Sequence, residues 1–114
     1  MSHEFFNQFK QKKIEFMDNA EKGTLKDIAT KKDEPLRAFT VGEFDFLNGE
    51  NGRFAVFTLT EIPNTFFFAN PQITDIFEKI DAANMRDALK NEKVFFVKGI
   101  SKKFNNEYVV MHTL

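Results

Sequence analysis

The sequence contains no cysteine and no tryptophan, a single tyrosine, and only three prolines and five glycines. Without cysteine the chain forms no disulfide, no thiolate metal site and no cysteine nucleophile, which is typical of a reducing compartment. No segment approaches the roughly 18 apolar residues of a membrane-spanning helix. Residues 1–13 show no apolar run followed by a cleavage site. We therefore expect a cytoplasmic protein without a signal peptide or a membrane partner.

Catalytic signatures are also scarce. The only histidines are His3 and His112, and the chain has no glycine-rich phosphate loop, no paired-histidine motif and no Gly-x-Ser-x-Gly elbow. The acidic pair Glu43 and Asp45 fits solvated strand charges better than metal ligands. We expect no enzyme activity, no metal and no cofactor.

Positive charge is limited as well. The net charge is −1, and the most basic third, residues 71–114, carries seven cations against six acids. A nucleic-acid-binding protein usually shows a basic patch, so any such patch here must be local.

Phenylalanine is the abundant residue, at 16 of 114 positions. One small core rarely needs so many rings. We expect some rings to lie on a surface, where they can contact a ligand.

Residues 1–23 predict a helical extension. Phe6, Phe9, Phe16 and Met17 follow roughly helical spacing, and Gly23 suits a helix end. The charged stretch 24–35 predicts a connector with one short turn at 25–28.

From residue 36 onward, alternating apolar residues predict strands. The alternation changes parity at Gly42, which predicts a β-bulge, and the doubled Asn-Gly at 48–52 predicts a hairpin. The predicted strands occupy 36–46, 53–62, 65–69, 93–100 and 107–114, with a turn at 63–64. On the second strand, Ala55, Phe57 and Leu59 form the predicted core face.

Asn70 and Pro71 predict a helix start, as N-cap and first helical residue. Ile73, Phe77 and Ile80 then lie on one stripe. The stripe weakens near residue 83, which leaves open one kinked helix or two short ones.

The resulting order, β-β-β-α-β-β, predicts a five-stranded β-barrel of the oligonucleotide/oligosaccharide-binding (OB) type over residues 24–114. An α+β sandwich of similar order is the alternative.

Candidate contacts are rings and cations near the first and last hairpins, which flank the cleft of an OB barrel. Exposed rings can stack on bases, and Lys or Arg can pair with phosphates. Alternatively, the rings pack only against the helix or the N-terminal segment, and the cations are solvated. The candidates are Arg53, Phe54, Phe67, Lys98, Lys102, Lys103 and Tyr108.

The segment VGEFDFLNGENGRFAVFTLTEIPNTFFFAN, an Ile-rich helix and VFFVKGISKKFNNEYVVM together resemble small phage-type single-stranded DNA-binding proteins with an OB fold. The resemblance spans residues 24–114. It implies sequence-independent coating of single strands in phage replication or recombination, in the host cytoplasm. By matching position it implies contacts from Arg53, Phe54, Lys102, Lys103 and Tyr108.

Two functions therefore stand side by side. The first is single-stranded DNA binding, with replication or recombination proteins as further partners. The second is an OB-type protein-interaction module without nucleic-acid binding, which includes self-association. Single-stranded DNA binding is the leading hypothesis, and the near-neutral charge and the extra phenylalanines support the alternative.

Overall fold

The chain folds into a mainly β structure with short helices, and the computed structural model describes residues 14–31, 33–100 and 107–113. A 3-10 helix, Glu15–Met17, comes first. The helices are α1 (Leu25–Ile28), α2 (Pro71–Ala82) and α3 (Arg86–Leu89). The strands are β1 (Glu21–Lys22), β2 (Ala38–Phe39), β3 (Val41–Gly49), β4 (Gly52–Leu59), β5 (Ile62–Phe68), β6 (Val94–Ile100) and β7 (Glu107–Thr113).

The strands form two sheets that share one bent segment. The first sheet has the order β1-β5-β4-β3 and the second has the order β2-β6-β7. The chain passes from one to the other at Thr40, whose carbonyl accepts a hydrogen bond from the Thr60 N–H at 2.9 Å. The predicted bulge is confirmed, because the β3–β4 register shifts between Val41 and Phe44.

The expected barrel closure is wrong for the described residues, in which no ladder joins β5 to β7. The free edge of β5 is taken by β1, which pairs with it in parallel at Glu21↔Thr65 and Lys22↔Phe66. On the other side of the gap, the Gln72 side chain of α2 binds the free edge of β7. Gln72 donates to the Met111 carbonyl at 3.2 Å and accepts from the Met111 N–H at 3.1 Å. The sheets therefore stay open along this seam.

The predicted N-terminal helix does not continue through the described residues 14–22. They form the 3-10 helix and then β1, because the β5 edge offers backbone hydrogen-bond partners that a helix could not use. Gly23 ends no helix. A side chain there would clash with the Phe67 ring, so the glycine permits close packing on β5. The rest of the predicted helix lies outside the described residues, and the domain boundary at residue 23 stays a prediction.

Helix α2 begins as predicted, since the Asn70 side chain accepts a hydrogen bond from the Ile73 N–H at 3.0 Å. The sequence leaves open one kinked helix or two short ones after Asn70, and the structure has two helices, α2 and α3. The turn predicted at Pro63 and Asn64 is wrong, because both residues lie within β5 and the chain turns at 60–61.

The core lies between the two sheets and α2, and it is built mainly from phenylalanines. Phe57 is fully buried at its centre, with ring centroids 5.6 Å from Phe67, 5.2 Å from Phe77 and 5.8 Å from Phe96. The predicted core face of β4 is confirmed, because Ala55 and Leu59 are buried beside Phe57. Among the described helices, none has the length and apolarity needed to span a membrane.

Candidate nucleic-acid interface

A groove of about 490 Å³ follows the open seam between the sheets. We call it the seam groove. Its residues come from the end of β1, from α1, from the end of β5 and from the start of β7. The lining consists of Lys22, Gly23, Thr24, Leu25, Lys26, Phe68, Asn70, Tyr108 and Val109. Two lysines and no carboxylate are present in that described lining, so its formal charge is positive.

Tyr108 is the most accessible ring among the described residues, with 44% of its surface exposed. It lies at the start of β7, opposite Gly99 in the β6–β7 ladder. A methyl group on Gly99 would lie 2.7 Å from Tyr108 Cζ. The glycine thus lets the ring approach β6 closely, and the exposed part of the ring can stack on a flat ligand.

Phe68 is the second ring of the seam groove and belongs to a cluster on the outer face of the first sheet. Its centroid lies 5.3 Å from that of Phe54 and 5.5 Å from that of Phe66. Lys22 Nζ lies 4.8 Å from the Phe68 centroid, within the range of a cation–π interaction. This contact places a positive charge beside a half-buried ring.

The outer face of the first sheet is covered in part by the chain's own residues 14–17. Ile14 is buried against Leu47 and Val56. Phe16 and Met17 pack against the same cluster, together with Phe54, Phe66 and Phe68. Phe54 is therefore half-buried under this segment, and its role as a stacking platform stays a prediction.

Phe67 is buried, and this burial does not fit the stacking role predicted for it. The ring is 1% exposed and lies in the core against Phe57. Side chains alternate along β5, so Phe66 and Phe68 take the outer face and Phe67 points inward. The sequence places Phe67 on the opposite face from its neighbours but does not indicate which face is buried.

Arg53 and Phe54 do not form a joint contact, because consecutive strand residues point to opposite faces. Phe54 joins the outer cluster, whereas the Arg53 guanidinium lies over the Phe46 ring with its Cζ 3.8 Å from the centroid. Arg53 thus covers the end of the core, away from the seam groove.

Lys98 lines a different depression of about 410 Å³, with Lys26, Lys31 and Arg37 among its other residues. Lys26 is also part of the seam groove, so the two depressions adjoin at α1. The candidates Lys102 and Lys103 lie outside the described residues.

No protein-family model, curated protein or solved structure matches this chain. The assignment of the site depends on its geometry alone.

A larger depression of about 550 Å³ has the wrong charge for a phosphate backbone. Among its lining residues, four carboxylates face two cations: Glu15, Glu43, Asp45 and Asp87 against Arg86 and Lys90. No group of three or more potential metal ligands occurs among the residues that the structure describes. The seam groove is the better candidate for an anionic polymer with flat bases.

The sequence prediction missed Lys22, Lys26 and Phe68. Alternation along the strand places Phe68 on the same face as Phe66, and this parity is a usable signal. The lysines were assigned to the extension and the connector, and no local pattern indicated that β1 and α1 would come beside β7. Their contribution depends on pairing between distant segments.

Proposed function

We propose that the protein binds single-stranded DNA without sequence preference, in phage replication or recombination. One observation carries the proposal: an exposed Tyr108 and a half-buried Phe68 line the same groove as Lys22 and Lys26. This combination of flat rings and ammonium groups is typical of surfaces that hold single strands.

Chemically, the groove can take bases on its rings and phosphates on its lysines. Every base has a π-face, so stacking on Tyr108 and Phe68 does not distinguish one base from another. Asn70 is the groove's amide side chain, and it is already occupied. Its Nδ2 donates to the Val109 carbonyl at 2.6 Å and its Oδ1 accepts from the Ile73 N–H. We therefore do not expect Asn70 to recognise base edges.

The same proposal includes an OB-type architecture, opened at the seam. The strand order supports it. The bent segment Ala38–Gly49 pairs with β6 through β2 and with β4 through β3. Helix α2 lies between β5 and β6, the third and fourth long strands of the chain, and its Ile73 and Phe77 are buried in the core. In the closed OB form β5 would pair with β7, and here β1 occupies that edge.

Fluorescence anisotropy with labelled oligo-dT tests the proposal directly. We expect binding of the single strand and little binding of a duplex of the same length at equal salt. Tyr108→Ala removes the exposed ring and should weaken binding by about 1–3 kcal/mol, the usual worth of one stacked base. Tyr108→Phe is the matched control and should retain most of the affinity.

Met85→Ala is a second control, since Met85 is 53% exposed and lies outside the seam groove. Equal affinities for Tyr108→Ala and Met85→Ala would show that the groove is not the binding site. If the protein fails to bind oligo-dT even at low salt, the proposal is wrong. The protein-interaction module then becomes the better hypothesis.

A further inference from the structure

Next to the seam groove lies a depression whose cations come from four positions along the chain. We call it the basic pocket. Lys26 lies on α1, Lys31 and Arg37 lie in the connector between α1 and β2, and Lys98 lies on β6. Its volume is about 410 Å³, which is larger than a single phosphate group requires.

The frame of the basic pocket is held by backbone hydrogen bonds. Thr30 forms a parallel bridge with Val97. Its N–H donates to the Phe96 carbonyl at 2.8 Å, and its carbonyl accepts from the Lys98 N–H at 3.0 Å. These bonds hold the connector against β6, so the backbone positions that carry Lys31 and Lys98 lie close together.

The cations of the basic pocket form no ion pair with the carboxylates that the structure describes. Among the described residues, none of the four has a carboxylate oxygen within salt-bridge distance. Two acids, Asp27 and Glu34, also line the pocket. Glu34 is engaged with backbone, because its Oε1 accepts from the Lys31 N–H at 3.1 Å. Four positive groups face two carboxylates, which leaves a net positive charge for an anion.

Thr30 adds a polar group to the same lining. Its Oγ1 is buried and has no hydrogen-bond partner within residues 14–31, 33–100 and 107–113, and Thr30 is 3% exposed. Buried hydroxyls are normally paired, so this one marks the lining as a place with unmet hydrogen-bonding capacity.

We propose that the basic pocket binds a backbone phosphate of the single strand that stacks in the seam groove. The inference rests on the proposed function and extends it by a second contact region. Lys26 lines both depressions, so a strand that leaves Tyr108 and Phe68 passes Lys26 before it reaches Arg37 and Lys98. Arg37 presents a planar fork of donors that matches phosphate geometry, and the lysines act as point charges.

The test uses the salt dependence of oligo-dT binding by the full chain. For single strands, the slope of log affinity against log salt is about −0.7 per neutralised phosphate. Arg37→Gln and Lys98→Gln should each make the slope shallower by up to about 0.7. The double variant should make it shallower by up to about twice that amount. Lys79→Gln is the matched control, since Lys79 pairs with Asp75 on α2 at 2.9 Å, outside both depressions. Circular dichroism melting shows whether each variant is folded.

Tyr108→Ala separates the two contact regions, because it should lower affinity and leave the slope unchanged. If the doubly substituted protein has the slope of Lys79→Gln while the wild type binds, the basic pocket is refuted and the proposed function stands. If the wild type binds no oligo-dT, both proposals are wrong.

An NMR titration with inorganic phosphate distinguishes a strand phosphate from a free anion. We expect weak shifts at the Thr30 and Lys98 amides, and much larger ones with oligo-dT. Tight binding of inorganic phosphate, without further change on adding oligo-dT, would overturn the strand assignment and indicate a small anionic ligand instead.

Discussion

At the residue scale, Glu61 joins the two sheets at the corner where the bent segment changes partner. Its Oε1 accepts from the Thr40 N–H at 2.7 Å. Lys93 Nζ donates to Thr40 Oγ1 at 2.7 Å and lies 3.8 Å from Glu61 Oε2. Partial burial raises the pKa of Glu61, but hydrogen bonds from the Thr40 and Glu61 N–H groups and from the Thr40 and Thr60 hydroxyls outweigh it. The pKa of the carboxyl is therefore lowered from its usual 4.5.

This pKa shift predicts acid sensitivity. The unfolded chain binds a proton at Glu61 near pH 4.5 and the folded chain only at lower pH, so the charged carboxylate stabilises the fold above that value. Glu61→Gln should lower the free energy of unfolding at pH 7. The difference from wild type should shrink as the pH falls below 4.5. Urea titrations at several pH values measure it.

Glu50→Gln, at the exposed β3–β4 turn, controls for the loss of one surface charge. A difference between Glu61→Gln and wild type that stays constant from pH 7 to pH 3 would contradict the role assigned to the charge.

The element scale is best seen at Asn70, which begins α2 and also closes part of the seam. Its Oδ1 caps the helix and its Nδ2 reaches the Val109 carbonyl on β7. The sequence predicts the cap from Asn-Pro, a local signal. The bond to β7 spans 39 positions and depends on how the second sheet packs.

Two substitutions separate these roles. Asn70→Ala loses both bonds and should cost about 1–2 kcal/mol of stability, of which the cap typically contributes about 1. Asn70→Ser keeps a good cap and is too short to donate to the Val109 carbonyl, so its cost should be smaller. Chemical denaturation at neutral pH measures both. Equal costs for the two variants would mean that the bond to β7, and not the cap, carries the stability.

Strand β1 shows that pairing with a distant strand edge can override a local helix pattern. Two residues, Glu21 and Lys22, occupy the β5 edge, and they do so in a segment whose apolar spacing predicts a helix. Periodicity reports which side chains can share a face, but an unpaired strand edge offers hydrogen bonds to any extended segment that reaches it. The helix prediction over residues 14–22 failed for this reason.

For the whole molecule, one phenylalanine core connects the two sheets with α2. Phe57 is in contact with rings from β5, α2 and β6, so its loss affects every layer. The smaller outer cluster under residues 14–17 shares the first sheet with this core, because β4 presents Phe57 on one face and Val56 on the other.

Phe57→Ala should therefore destabilise the protein by about 3–5 kcal/mol, the usual cost of removing a buried ring. Phe57→Leu leaves a smaller cavity and should cost less. Far-UV circular dichroism and Tyr108 fluorescence should report one shared unfolding transition, since Tyr108 belongs to the second sheet and Phe57 to the first. Two separate transitions in the wild type would contradict a single connected core.

Of the four residues that carry the proposed site, only Tyr108 follows from a local pattern, whereas Lys22, Lys26 and Phe68 do not. Tyr108 follows the last turn in the sequence, and its polar hydroxyl favours a solvent-exposed edge. The buried Phe67 is among the predicted contacts and Phe68 is not, because alternation separates the two faces of β5 without indicating which one meets the core. Alternation also explains the position of Arg53. It lies two positions before Ala55 and four before Phe57 on β4, so its side chain is on the core side of the strand.

The sequence by itself determines the order of the long strands, the bulge at Gly42, the cap of α2 and the buried face of β4. Each depends on neighbouring residues, through turn chemistry, backbone geometry and alternation. Only the tertiary structure decides that β1 takes the β5 edge, that the sheets stay open, and that Lys22 and Lys26 come beside Tyr108. These outcomes depend on which segments, distant along the chain, compete for the same hydrogen-bonding edge, and local sequence does not record that competition.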